Sequence, residues 1–154
     1  MVYAFKRSLY REPHGLAHGR CQDVMLFDAN SAPRERVGFD SWFNTLTQWE
    51  GEIDYNDYTH ATPALQSFYK ELIKSYPSLN GPDAVDTKAL QANPDLESCL
   101  TDYSIAPQII YAAFAWSQAH NADKLIHDLA AKHGVGIYHV STDNAVIFPD
   151  GFTI

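Results

Sequence analysis

The apolar run from 109 to 116, IIYAAFAW, is the feature that most constrains the fold of this chain. Its odd and even positions are both apolar, so a strand built from it presents apolar side chains to both faces of a sheet, as a central strand does. A helix that crosses a bilayer needs about 20 such residues. The run therefore predicts a central strand and gives no membrane-spanning segment.

Shorter patterns before this run predict one strand and two helices. The apolar stretch at 23–28 predicts a strand. Ser31 is the expected N-cap of a first helix that Gly51 ends, and a second helix begins at Thr62 with Pro63 in its first turn. The first helix has an apolar stripe at steps of three and four, formed by Phe39, Trp42, Phe43, Leu46 and Trp49.

After a long connection at 77–99, with one helical turn near 87–92, the C-terminal half is regular. We expect a strand at 100–105, the central strand, a helix capped by Ser117 or Asn121 and ended by Gly134, and a hairpin around 142–144. The order is β-α-α-β-β-α-β-β. It predicts an α+β fold with helices packed on one face of a mainly antiparallel sheet, and the ferredoxin-like topology satisfies it.

The chain divides into an arm and one domain. Residues 1–22 show no apolar period and are interrupted by Pro13, Gly15 and Gly19, which predicts an irregular N-terminal arm. Residues 23–154 are the expected single α+β domain. The first twenty residues contain no secretory apolar segment, and the two cysteines are isolated, so we expect a cytoplasmic protein with reduced thiols.

Charge restricts the class of partner. The formal net charge is −8, and no lysine or arginine occurs between residues 37 and 69 or between 89 and 123. Such a surface repels nucleic-acid phosphates and anionic lipid and attracts a basic protein or a cation. A solvated face that aids solubility explains the same pattern. Binding to nucleic acid or to a membrane is not expected.

Known motifs for cofactors, metals and nucleophiles are missing from the sequence. The chain contains no GxGxxG, HExxH, CxxC or GxSxG pattern. His120 and His127 lie seven residues apart on one predicted helix, too far for joint ligation from adjacent turns, and His14 and His18 lie in the arm without a helical pattern. We therefore predict that the protein has no cofactor and no metal site. A protein without catalytic residues is expected rather than an enzyme.

The segment between the first two helices combines acids with aromatics, and it is the best candidate for a binding surface. Carboxylates steer a basic partner, and aromatic side chains supply buried anchors at interfaces. Acids beside aromatics are also how general acids acquire a raised pKa. The predicted partner-binding residues are Trp49, Glu50, Glu52, Asp54, Tyr55, Asp57 and Tyr58.

Two alternatives remain open. A small hydrolase or other acid/base enzyme would use a pocket near Asp102, Tyr103 and Trp116, because ligands often bind at strand ends. A tryptophan in the core is the commoner arrangement. The third interpretation is a metabolite-binding or structural subunit, for which a homodimer is the expected form.

Four segments carry a resemblance to a known family: DVMLFD, THATPALQSFYKELIKSYPSLNGP, LTDYSIAPQIIYAAFAWSQA and AAKHGVGIYHVS. Across residues 23–149 the chain resembles a family of small bacterial cytosolic proteins, and no catalytic residues follow from that likeness. Acidic proteins of this kind resemble the immunity proteins that are encoded beside polymorphic toxins. The resemblance implies a protein-binding inhibitor that neutralises a basic toxin domain by occluding its active site.

Overall fold

The computed structural model describes residues 21–49 and 53–154 of the chain. Residues 1–20 of the predicted arm 1–22 therefore lie outside the described residues. The last two residues of that arm, Cys21 and Gln22, begin the first strand. The strands are β1 (Cys21–Phe27), β2 (Asp102–Ile105), β3 (Ile109–Ala115), β4 (Gly136–His139) and β5 (Val146–Ile147). The helices are α1 (Arg36–Leu46), α2 (Pro63–Ser75), α3 (Thr87–Ala92), α4 (Leu96–Cys99) and α5 (Ala119–His133).

The five strands form one antiparallel sheet in the order β2-β3-β1-β4-β5. Read from β4, the first four strands follow the order 4-1-3-2, with helices between β1 and β2 and between β3 and β4. That is the ferredoxin-like arrangement, to which β5 adds an edge strand. The predicted α+β class and the antiparallel sheet are confirmed.

The two central strands are β1 and β3, as the apolar run predicts. They pair along their whole length, from Cys21 opposite Ala115 to Phe27 opposite Ile109. In each of them every residue but one end residue is buried. Because successive side chains of a strand point to opposite faces, both faces of the sheet are apolar at its centre.

Helices cover both faces of the sheet. The α2 and α5 helices pack on the face that carries Val24 and Leu26. On the opposite face α1 packs against Met25 and Phe27, so the expectation that the helices share one face does not describe α1. The reason is burial: with helices on one face alone, the apolar side chains of the other face would lie in water.

The helix ends follow local capping chemistry. The α2 helix begins at Pro63, as predicted, and α5 ends before Gly134, whose φ is 69°. The α1 helix begins later than predicted, at Arg36, because the Ser31 hydroxyl donates to Asp28 Oδ2 at 2.7 Å and holds a turn instead of capping the helix. None of the helices in the described ranges is long and apolar enough to cross a bilayer.

The connection from α2 to β2 runs beside the sheet. The Leu79 N–H donates to the Thr101 carbonyl at 2.9 Å, and the Thr101 N–H donates to the Pro77 carbonyl at 2.9 Å. These bonds tie the start of the connection to the residue just before the edge strand β2, and they occupy backbone groups that would otherwise be open to another chain. The short α3 helix coincides with the turn predicted near 87–92.

Candidate functional site

The segment between α1 and α2 begins with an enclosed tryptophan. Trp49 is 9% exposed, and its ring stands edge-on to the rings of Tyr55 at 5.0 Å and Tyr111 at 6.5 Å. An indole enclosed in this way anchors the segment to its own domain. Trp49 was predicted as a partner anchor, and its burial argues against that role. Glu50 and Glu52, also predicted to bind a partner, lie outside the described residues.

The two predicted tyrosines are half-buried and pack inward. Tyr55 packs against the core cluster beneath α1, and Tyr58 packs against the cluster on the other face of the sheet. The Tyr58 ring lies 5.4 Å from the Tyr69 ring, and Lys70 Nζ lies 5.2 Å from the Tyr58 ring centroid. Much of their apolar area is therefore already in contact within the domain.

The two described acids of this segment accept local hydrogen bonds and keep their charge near solvent. Asp54 is exposed and accepts the Asn56 N–H at 2.9 Å. Asp57 accepts the hydroxyl and the backbone N–H of Thr59, at 2.6 and 2.9 Å, and these two bonds lower the pKa of the Asp57 carboxyl. Each carboxylate is thus held in a fixed direction by the turn that follows it.

A second acid-rich segment lies against the first. A Cβ on Gly81 would fall 2.6 Å from the Asn56 Cβ, and Gly81 also has a φ of 81°, so only glycine permits this approach. In the ranges 53–60 and 78–97, Lys88 is the one lysine or arginine. We call their carboxylates the acidic surface, and none of them is buried: Asp54, Asp57, Asp83, Asp86, Asp95 and Glu97.

Two apolar side chains are exposed within the same ranges. Ile53 is 39% exposed and Leu79 is 38% exposed. Sequence reasoning did not select either residue, because a single aliphatic residue in a loop carries no signal. They offer the apolar contact area that the enclosed aromatics do not.

The three residues of the predicted pocket do not converge. Asp102 and Tyr103 are adjacent on β2 and so point to opposite faces of the sheet. Tyr103 is 4% exposed, donates its hydroxyl to the Tyr76 carbonyl at 2.7 Å and has its pKa raised by burial. Trp116 is 52% exposed in a 3-10 turn at the end of β3. The geometry gives no support to a catalytic pocket built from these three.

A different group of polar side chains does converge, between α5 and β4. Asp123 and His127 lie one turn apart on α5, and His139 ends β4. His127 Nε2 lies 3.3 Å from His139 Nε2, and Asp123 Oδ1 lies 3.6 Å from His127 Nε2 and from His139 Nδ1. The spacing is compact enough for the three side chains to hold one metal ion. We call these three residues the histidine cluster.

A pocket of about 320 Å³ opens beside the histidine cluster. Gln22 of β1 is 6% exposed, and its Oε1 has no hydrogen-bond partner among the described residues. A buried acceptor of this kind is uncommon and calls for a ligand or water that donates to it. The pocket is lined by Gln22, Ala119, His120, Asp123, His139, Thr142 and Asp143.

The sequence held a signal for two of the three residues of the histidine cluster. Sequence reasoning compared His120 with His127, which are two turns apart, and did not compare Asp123 with His127. A spacing of four residues places two side chains on one helix face, within reach of a common ligand. His139 could be joined to them only through the topology, which returns β4 beside β1.

Comparisons with known proteins add no assignment. No protein-family model, no curated protein and no solved structure gives a significant match to this chain. The resemblance to immunity proteins stays a prediction from the sequence.

Proposed function

We propose that this chain is a protein-binding domain of the immunity type, which docks on a basic toxin domain through the acidic surface and occludes its active site. The observation that carries the proposal is the contact between Asn56 and Gly81. It brings the segment of Asp54 and Asp57 beside the segment of Asp83, whose carboxylate accepts the Tyr69 hydroxyl at 3.1 Å. Asp95 and Glu97 lie further along the second segment, around α4, and the two ranges together carry six carboxylates and one lysine in sequence. A field of one sign over such a surface attracts a basic partner.

Two of the carboxylates, Asp57 and Asp86, are held in place before any partner arrives. Asp57 caps the 3-10 turn that follows it, and Asp86 caps α3 by accepting the Ala89 N–H at 2.7 Å. A fixed carboxylate loses less conformational freedom on binding than a mobile one. The caps therefore support a role in recognition in addition to one in folding.

Apolar contact comes from Ile53 and Leu79 in this proposal, in place of the aromatic anchors expected from the sequence. Each is more than a third exposed and lies within the acidic ranges. Apolar side chains surrounded by charges are typical of interface patches, where the charges steer the encounter and the apolar contacts slow dissociation.

The test uses the purified protein encoded directly upstream of this chain as the binding partner. The variant combines Asp54→Asn, Asp86→Asn, Asp95→Asn and Glu97→Gln, which remove four charges but keep the side-chain oxygens that cap the turns. We expect the association rate measured by biolayer interferometry to fall roughly tenfold or more. Protection of cells that express the toxin domain should be lost in parallel.

The control removes two charges elsewhere, through Glu35→Gln and Asp128→Asn, two exposed acids outside the acidic surface. This control should associate within about twofold of the wild-type rate. Added salt should slow the wild type and the control more than the four-site variant, because screening acts on exposed charges. Absence of binding to any basic product of a neighbouring gene, or binding that is indifferent to salt, contradicts the proposal.

A further inference from the structure

We propose that the histidine cluster, Asp123, His127 and His139, is a binding site for one divalent transition-metal ion of the zinc type. The proposal is independent of the acidic surface and goes beyond the proposed function. It concerns a different set of side chains, on α5 and β4.

Two of the three distances within the cluster are those of tetrahedral coordination. Zinc binds imidazole nitrogen and carboxylate oxygen at about 2.0–2.2 Å, so two ligand atoms at the tetrahedral angle lie about 3.3–3.6 Å apart. His127 Nε2 and His139 Nε2 are 3.3 Å apart, and Asp123 Oδ1 is 3.6 Å from His127 Nε2. One ligand atom from each of the three side chains lies within 4.8 Å of the other two, so a single ion can reach all three.

The chemistry of the donors selects the class of metal. Two imidazoles and one carboxylate suit zinc and its transition-metal neighbours, whereas Mg²⁺ and Ca²⁺ take sites made of oxygen ligands. A two-histidine, one-carboxylate set leaves at least one coordination position to solvent or substrate.

Regular structure holds all three ligands. Asp123 and His127 share one face of α5, and His139 pairs with Val24 across the sheet. The side chain of His139 is 11% exposed, so its rotamer is restricted by packing. Sites built on helices and strands hold their geometry more closely than sites on loops.

The pocket beside the cluster supplies the second, independent observation. Gln22 Oε1 is buried there and has no partner among the described residues. A water on the open position of the metal carries polarised O–H groups, and a neutral amide oxygen is a suitable acceptor for one of them. The arrangement fits an open site with three protein ligands better than a closed structural one.

A metal-free interpretation makes a different prediction. With one proton between them, His127 and His139 form an ordinary hydrogen bond that joins α5 to β4. In that case substitution of either histidine changes stability alone, and the chain shows no affinity for metal ions.

The experiment measures binding of Zn²⁺ and Co²⁺ to the full chain, produced without a histidine tag, by equilibrium dialysis and by the visible spectrum of Co²⁺. We expect one ion per chain and a tetrahedral Co²⁺ spectrum. His127→Ala and His139→Gln should each weaken Zn²⁺ binding by about 100-fold or more, and Gln22→Ala by about tenfold. Asp123→Asn, which keeps the side-chain shape, serves if a histidine variant fails to fold.

Two controls separate the cluster from other ligands. Asp128→Asn removes an exposed acid next to His127 on α5, and His14→Gln with His18→Gln removes the pair in the arm. Both controls should bind Zn²⁺ as the wild type does. The proposal is overturned if the wild type binds neither ion, or if folded His139→Gln still binds one Zn²⁺ with unchanged affinity and gives the same Co²⁺ spectrum.

Discussion

The contact between Phe27 and Gly136 allows a sharp prediction about the core beneath α1. The two residues are opposite each other on β1 and β4, and a Cβ on residue 136 would lie 2.6 Å from Phe27 Cε1 and nearer still to two other ring carbons. The ring of Phe27 therefore occupies the space that any side chain at position 136 would need. Gly136→Ala forces that ring to move.

The ring has little room to move. Phe27 is fully buried, and its ring centroid lies 5.3 Å from those of Phe39 and Phe148 and 6.0 Å from that of Trp42. The nearest ring carbon, Cζ, would lie closer to the added Cβ than Cε1 does. Relief of the overlap therefore needs a shift of roughly 1.5 Å, since carbon atoms pack at about 3.5–4.0 Å. Overpacking costs typically 1–3 kcal/mol, and three overlapping atoms place this case near about 3 kcal/mol. For a domain of this length that corresponds to a fall in Tm of roughly 6–12 °C.

The assay is urea unfolding followed by far-UV circular dichroism, with the free energy of unfolding from linear extrapolation. Gly134→Ala is the matched control, because its φ is 69° but no atom lies within 4 Å of the added Cβ, so it should cost about 1 kcal/mol for the backbone alone. Phe27→Leu combined with Gly136→Ala should cost about 1 kcal/mol less than the sum of the two single changes. Equal stability of Gly136→Ala and the wild type, or strict additivity, would refute the reasoning.

Three further predictions concern single side chains. Lys132 and His133 donate to Glu71 and lower the pKa of its carboxyl below the ordinary 4.5. The wild type should therefore be more stable than Glu71→Gln near neutral pH and should lose that advantage as the pH falls through the lowered pKa. Urea unfolding midpoints at several pH values measure this difference. Tyr103→Phe leaves a buried carbonyl without its donor and should cost about 1–2 kcal/mol in the free energy of unfolding. Trp49 is buried, so Trp49→Ala should lower the free energy of unfolding by about 3–5 kcal/mol. A loss below about 1 kcal/mol in the same assay would contradict a core role and support the predicted role as a partner anchor.

The strands and helices were predictable because their apolar patterns are local. The runs at 23–28 and 109–116 lack alternation, and that feature already indicates burial on both faces. The prediction that all helices pack on one face did not apply this burial to the run at 23–28, which forms most of β1 and is covered on both faces. Ser31 shows the other kind of error, since its hydroxyl had two possible partners and the sequence does not say which one it takes.

The candidate sites were predictable only in part, because both depend on contacts between distant segments. The acids at 53–60 and 78–97 are visible in the sequence, but their contact depends on the absence of a side chain at Gly81. In a loop without a period, nothing indicates whether Tyr55 faces the core or solvent. The spacing of Asp123 and His127 on one helix face was visible in the sequence. The position of His139 beside them depends on the tertiary fold and was not.

Asp54, which belongs to the acidic surface, and the histidine cluster lie toward opposite ends of β1, which makes their effects separable by experiment. The segment with Asp54 is tied by its Tyr55 carbonyl to Ile105, at the hairpin that faces the Phe27 end of β1, whereas Gln22 lies at the other end of the strand beside the cluster. Five residues of strand separate these ends by about 17 Å.

Substitutions that far apart, with no shared partner, act independently to within about 0.5 kcal/mol. Asp54→Asn should therefore change Zn²⁺ affinity by less than about threefold, and His139→Gln should leave the rate of partner association unchanged within the same factor. Dialysis and interferometry on the two single variants and the double variant measure the coupling directly. A coupling above that limit would mean that metal binding and partner docking share one structural element, and the separation along β1 would then be the wrong description of this molecule.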